Sequence, residues 1–322
     1  AHTAIGILAF ASLDEALADQ AVALFDRLRL PDVEGQPTFG EMAGDWFRDI
    51  VRAIFGSLDA QGVRRVPGVF NLVPKKNSKT TNAAALMIVA LLLNLRPNAQ
   101  FGLFGPTQEI ADLAFAAAKG IIEAKADDVF QQELRKTLHI QEHTKTITHR
   151  VTGAKLKVQT FDPAVATGGK FAGWLLDELH ILGKKPFTSR VLGQLRGARA
   201  AIPESFGVII TTQSDEPPAG AFASELEYAR KVRDGQVEDA SILPVLYEFP
   251  EEIQKDKKEG WRDPALWSRV NPNYGRSINL GILQGLYNDA AGKTEDHFFL
   301  ADLGTDLFDG LLNVIAHRPV LA

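Results

Sequence analysis

Residues 69–73 (VFNLV) form a short apolar run broken only by Asn71, and residues 83–93 are apolar without a break. Between them lies a polar, cationic turn, Pro74-Lys75-Lys76-Asn77-Ser78-Lys79-Thr80. The Ala-, Leu-, Met- and Ile-rich stretch after it is too long for an ordinary strand and predicts a buried helix. Upstream, residues 1–35 carry a helical, amphipathic pattern that ends near Leu30-Pro31-Asp32. Residues 41–55 predict a second helix with Trp46, Phe47, Ile50, Val51 and Ile54 on one face. Downstream, strand patterns at 100–104, 174–176 and 206–212 alternate with helical ones at 108–126, 187–200 and 222–234. Residues 127–157 read as a helix followed by β-rich polar structure, with a hairpin of 146–151 and 155–161 about Gly153. Strands alternating with helices predict an α/β fold, a mainly parallel sheet flanked by helices on both faces.

A strand, a tight loop ending in Lys-Thr and a helix are the order of a phosphate-binding loop. The free N–H groups and positive dipole end of the helix suit a polyphosphate. Lys79 is placed to reach the β- and γ-phosphates, and the Thr80 hydroxyl to bind Mg²⁺. The usual pattern is G-x-x-x-x-G-K-[ST], and this chain has Val73 and Ser78 at the two glycine positions. Both a phosphate loop and a lysine-rich turn before a core helix fit the stretch taken alone.

The strand of residues 174–176 ends in Asp177 and Glu178. In an ATPase, Asp177 would hold Mg²⁺ and Glu178 would orient and deprotonate the attacking water. Both then belong at the C-terminal end of a parallel strand, where open α/β sheets bind ligands. An acidic pair capping the next segment is the plain alternative. Two motifs in the right order on predicted strands outweigh it.

Composition adds limits. The 322 residues are 45% hydrophobic and 23% charged, with a net charge of −5. They suffice for a large α/β domain with appendages or for two domains. No overall basic field draws the chain to nucleic acid, so a DNA contact needs a local patch; Lys184, Lys185 and residues 190–199 are the candidates. Cysteine is absent, which excludes disulfides and thiolate-bound metal and agrees with a cytoplasmic protein. No basic leader precedes an apolar run, and none of the apolar runs is long enough to span a bilayer. His139 and His143 stand one helical turn apart with His149 nearby, but no Glu follows His139 as a zinc-binding H-E-x-x-H requires. The mixed charges of residues 251–258 read as a helix face, and Asp302, Asp306 and Asp309 as solvated acids.

The ordered set VPKKNSKTT, Gln108, GWLLDELH, IITTQS and NPNYG resembles the large terminase subunit of tailed bacteriophages, the motor that packages DNA into proheads. The likeness covers roughly residues 40–314. Phosphate loops of that family have the form [VA]-[PR]-[RK]-K-N-[GAS]-K-[ST], which accommodates Val73 and Ser78. The resemblance implies a P-loop NTPase fold of the additional-strand type, with ATP and Mg²⁺ as cofactors. It implies nucleotide contacts from Pro74, Lys75, Asn77, Ser78, Lys79, Thr80 and Thr81, and a catalytic set of Glu178, Lys79 and Lys76. Thr80 and Asp177 become the Mg²⁺ residues, and Thr211, Thr212 and Gln213 the coupling motif that senses the γ-phosphate. Trp46 stands where the family has its adenine-side motif, although core packing explains it equally well. His180 is given a structural or supporting role. An arginine finger is expected, with Arg150, Arg190, Arg196 and Arg199 as candidates.

On the same basis residues 1–60 are expected to form a helical region with the adenine-side motif, and 61–245 the ATPase core. Residues 246–322 become a helical subdomain leading to a nuclease that is missing or barely begun. Double-stranded DNA, the portal protein and the small terminase subunit are the implied partners. The resemblance implies a homo-oligomeric ring during packaging and a monomer in isolation, in the host cytoplasm and transiently docked on the prohead portal. A non-hydrolysing nucleotide-binding assembly module and a helicase- or recombinase-like ATPase are the alternatives.

Overall fold

The computed structural model describes residues 14–164, 169–214, 216–256 and 260–293. The start of the first predicted helix, most of the loop 166–170, Lys257, Lys258 and the acids Asp302, Asp306 and Asp309 lie outside these residues. Within them an eight-stranded sheet has the order β3-β4-β5-β2-β6-β7-β1-β8. Its parallel part comprises β5 (Lys155–Val158), β2 (Gln100–Phe104), β6 (Phe171–Asp177), β7 (Phe206–Thr211), β1 (Gly68–Leu72) and β8 (Ile242–Leu246). β3 (Leu138–Gln141) and β4 (Thr146–His149) extend it antiparallel beyond β5. The predicted hairpin is β4–β5, and the short, half-polar β3 is an addition.

The parallel strands are buried on both faces, so their side chains alternate between two cores. Val69, Leu175, Val208, Ile210, Leu243 and Val245 belong to one core. Phe70, Leu72, Trp174, Leu176, Ile209 and Leu246 belong to the other. The first core is covered by α1 (Glu15–Arg27), α3 (Asp45–Gly56), α4 (Lys79–Leu93) and α5 (Gln108–Ile122). α4 is apolar around its whole circumference because it lies between the sheet and the outer helices. The second core is covered by the one-turn α7 (Leu179–Leu182), α8 (Thr188–Gly197) and α9 (Gly220–Arg233). Gly207 faces Trp174 across the β6–β7 ladder, where a Cβ would come within 2.1 Å of the indole.

Boundaries differ from expectation at several points. α1 ends at Arg27, because Leu28 turns extended and Arg29 pairs with Thr38 in a bridge. The helix predicted over 41–55 is split at Gly44 into the one-turn α2 (Phe39–Met42) and α3. β8 was not expected at all. The remaining helices are α6 (Val129–Thr137), the short α10 (Glu251–Lys255) and α11 (Leu280–Lys293). After β8 a third, separate cluster forms from Phe249, Trp261, Trp267, Val270, Ile278 and Leu283.

Candidate nucleotide site

β1 and β6 are not neighbours; β7 lies between them. The turn after β1 and the acids at the end of β6 therefore face each other across the C-terminal end of β7. The ladder continues into the loops: Val73 N–H donates to the Thr211 carbonyl at 3.1 Å, and Glu178 N–H to that of Ile210 at 2.9 Å. α4 begins at Lys79, so its unpaired N–H groups open onto the same space.

Two contacts join the loop to the acids. Thr80 Oγ1 donates to Asp177 Oδ2 at 2.6 Å, between residues 97 positions apart. Lys79 Nζ lies 3.0 Å from Glu178 Oε1, with Lys79 buried. Lys76 and Ser78 adopt left-handed backbones, φ 66° and 56°, where the usual loop has glycine at the second of these positions. Glu178 is left-handed too, φ 56° and ψ 52°, a region that non-glycine residues enter uncommonly. Pro74 and Lys75 offer their carbonyls to the Asn77 side chain at 3.2 Å each. Thr81 is half-buried in the first turn of α4, and Lys76 is exposed.

The residues expected to form the coupling motif lie beside this pair. Thr211, Thr212 and Gln213 are buried at the end of β7. His180 is tied into the cluster: its Nδ1 lies 3.2 Å from both Glu178 Oε2 and Thr211 Oγ1, and its N–H donates to the same hydroxyl. Gln213 Nε2 lies 3.5 Å from Glu248 Oε2, and Arg230 and Arg233 hold that carboxylate at 2.5 Å each. Trp46 is 6% exposed and packs edge-on against Phe47 and Tyr247. Its indole N–H donates to Asn273 Oδ1 at 2.9 Å.

The arginine candidates scatter. Arg150 lies in the β4–β5 turn, at the N-terminal end of the parallel strands, with its guanidinium on His139. Arg196 and Arg199 line a cavity of about 430 Å³ at that same end. Arg196 is paired with Glu225 and Arg199 donates to the Arg64 carbonyl. Arg190 is exposed in the first turn of α8. Of the expected backbone-contacting lysines, Lys184 pairs with Glu216 and Lys185 donates to the Pro106 carbonyl. Sequence reasoning missed three residues that reach the phosphate loop, Asn271, Asn273 and Ser277. The signal was NPNYG itself, which no periodicity connects to residues 74–78.

The donor set fits a hard divalent cation. Thr80 and Asp177 would supply its oxygen ligands, and Asp177 Oδ1 is buried with no hydrogen-bond partner among the described residues. Burial, and then the neighbouring Glu178 charge, push the Asp177 carboxyl up to about 6 from 3.8. Glu178 goes the other way. Burial would raise it, but His180 and then Lys79 outweigh burial and hold it at about 2.

A raised carboxyl destabilises the fold when ionised. Its cost is full above the folded value and fades as pH falls from about 6 towards 3.8. Asp177→Asn is therefore expected to stabilise the metal-free protein at pH 7 by on the order of 2 kcal/mol. The gain should shrink towards pH 4 in urea titrations of the two proteins. A variant less stable than wild type at pH 7 would contradict this account of the site.

The sheet order, the loop at the end of β1 and the acids at the end of β6 define a P-loop NTPase of the additional-strand type. The family model of the terminase large subunit ATPase domain matches residues 45–231. That is more than half of the 322 residues, and the chain belongs to this family. The large terminase of bacteriophage HK97 is similar in structure, with a TM-score of 0.69 at 16% identity over 89% of this chain. The chain spans about half of that protein, 54% of its length. The ATPase domain of the Thermus phage P74-26 large terminase gives a TM-score of 0.44 at 15% identity, covering 75% of this chain and 88% of that one. No curated protein matches the chain in sequence. No helix among the described residues is long and apolar enough to cross a membrane.

Proposed function

We propose that this site hydrolyses ATP with Mg²⁺ and that the chain is the ATPase part of a motor driving double-stranded DNA into a viral prohead. The observation that carries the reading is the meeting of Lys79 and Thr80 with Glu178 and Asp177 across β7. Thr80 and Asp177 would hold Mg²⁺, which when bound would neutralise charge on the phosphates. Lys79 and the first N–H groups of α4 bind the phosphates, helped by Pro74–Ser78 and Thr81, with Lys76 as an outer cation. A bound phosphate competes with Glu178 for Lys79. Released from that ion pair, Glu178 becomes a better base and takes the proton of the attacking water. Thr211 and Gln213 then pass the state of the site to Glu248 and α9, while His180 keeps Glu178 and Thr211 in register.

The family supports the larger assignment. Residues 61–245 form the motor core and 1–60 the region on its adenine side, with Trp46 as a packing link to it. Within 246–322, the described residues 246–256 and 260–293 would belong to the helical subdomain that the family implies after the motor core. Arg150, Arg196 and Arg199 stand at the sheet end opposite the phosphate loop, which leaves them a finger role only towards a neighbouring subunit of a ring. Portal and small terminase subunit are the protein partners, met in the host cytoplasm. The test is phosphate release from Mg-ATP with and without double-stranded DNA. Release that DNA stimulates is expected. ATP binding without release at any protein concentration would favour a non-hydrolysing assembly module.

A further inference from the structure

The phosphate loop has glycine at neither of the two usual positions, and two of its residues stand in left-handed backbone. Such a conformation persists only where surrounding groups enforce it. Here the enforcing groups come from a segment nearly two hundred positions away. Asn77, between the two strained residues, is fully buried and donates its amide to Asn271 Oδ1 at 2.8 Å. Its Oδ1 accepts the Asn273 N–H at 3.0 Å, and its carbonyl accepts from Asn273 Nδ2 at 3.1 Å. The carbonyl of Lys76 accepts from Ser277 Oγ at 2.6 Å. Both strained residues are thus flanked by peptides pinned from the same segment.

The amide orientations are forced. An indole N–H only donates, so Trp46 fixes oxygen as the atom of Asn273 that faces it, and Nδ2 must turn to Asn77. A backbone N–H likewise fixes the Asn77 oxygen on Asn273, which turns the Asn77 nitrogen to Asn271 and to the Pro74 and Lys75 carbonyls. Asn271 in turn donates to the Trp267 carbonyl at 3.0 Å, anchoring the network in the third core cluster. Gly44 admits the junction: a Cβ there would lie 2.5 Å from Trp46 Cδ1 and 3.0 Å from Asn273 Oδ1.

We propose that residues 271–277 are part of the nucleotide site, with Asn271, Asn273 and Ser277 as positioning residues that hold the glycine-free phosphate loop in its anion-receiving shape. The inference rests on the ATPase reading above. It extends the site beyond the matched residues 45–231, which stop short of this segment. It also assigns the third core cluster a purpose: it is the foundation from which the loop is braced. Seating of that cluster and shape of the loop are therefore coupled.

The test measures affinity for ATPγS by calorimetry, alongside thermal melting, in wild type, Asn273→Ala, Ser277→Ala and the pair Ser78→Gly with Asn273→Ala. Losing the Asn273 side chain should weaken binding about tenfold, and losing the Ser277 hydroxyl, which donates to the Lys76 carbonyl and accepts from Asn273 Nδ2, roughly threefold. Glycine at position 78 tolerates the left-handed backbone unaided, so Ser78→Gly should restore most of the affinity that Asn273→Ala loses. A general packing defect in the third cluster would not be repaired from the loop. Affinity unchanged in Asn273→Ala, or a loss that Ser78→Gly leaves untouched, overturns the proposal. If Asn273→Ala does not fold, the exposed Ser277 decides, with unchanged affinity in Ser277→Ala overturning it. A wild type that does not bind ATPγS overturns the ATPase reading itself, and the bracing with it.

Discussion

Glu178→Gln is expected to lower phosphate release by about 10²- to 10⁴-fold while the protein still binds ATP. The amide keeps the shape of the side chain and an oxygen facing Lys79, so the loop that receives phosphate is undisturbed. What disappears is the carboxylate at the end of β6 proposed as the base. Asp177 is not expected to replace it, because it accepts from Thr80 and its other oxygen is buried, where the proposed Mg²⁺ would bind. Removing the Glu178 charge also lessens the repulsion that a bound phosphate meets, so nucleotide affinity should hold or rise. Single-turnover hydrolysis and calorimetric ATP binding on the same preparation check both halves. Turnover within about threefold of wild type would remove Glu178 from the role of base.

What could be read from the chain divides along physical lines. β1, β6 and β7 are buried on both faces, so each is an apolar run, broken only by Asn71 in β1 and by the polar residues that end β6 and β7, and α4 is apolar on every side. Their ends carry the proposed site residues in plain view: Lys79-Thr80 where α4 begins, and Asp177-Glu178 where β6 stops. β8 was missed because Pro244 interrupts its run, and proline argues against a central strand. It lies at the edge of the sheet beside β1, where one side of the strand needs no donor. β3 was missed for the opposite reason, being short and half-polar at the other edge. The bracing of the phosphate loop was out of reach altogether. Hydrogen bonds between Asn77, Asn271 and Asn273 depend on a tertiary meeting that neither spacing nor hydropathy encodes. His180 stood next to Glu178 in the sequence, yet its bond to Thr211 follows only from the pairing of β6 with β7.

Lys79→Met is expected to abolish hydrolysis and to weaken ATP binding by roughly tenfold to a hundredfold, the worth of one or two charge-assisted hydrogen bonds to phosphate. Met keeps the buried stem, so packing of the first turn of α4 survives and the loss is one of charge. The same substitution has a second effect, on the protein without nucleotide. Glu178 is held at about 2, against burial, by His180 and then by Lys79; without the lysine a buried carboxylate loses its nearest cation. Stability at pH 7 should fall by on the order of 2 kcal/mol. A depressed carboxyl contributes stability that is present above its ordinary value of 4.5 and lost as pH falls towards 2. Lys79 also favours ionised Asp177, and that share is lost first, as Asp177 takes up its proton near 6. Both shares have the same sign, so the gap between wild type and Lys79→Met should be widest near pH 7 and narrow as the solution is acidified. Urea titrations at pH 7, 5.5 and 4 measure the gap. A constant gap would mean that the lysine acts there by packing rather than by charge; a variant that still hydrolyses ATP would remove Lys79 from the phosphates.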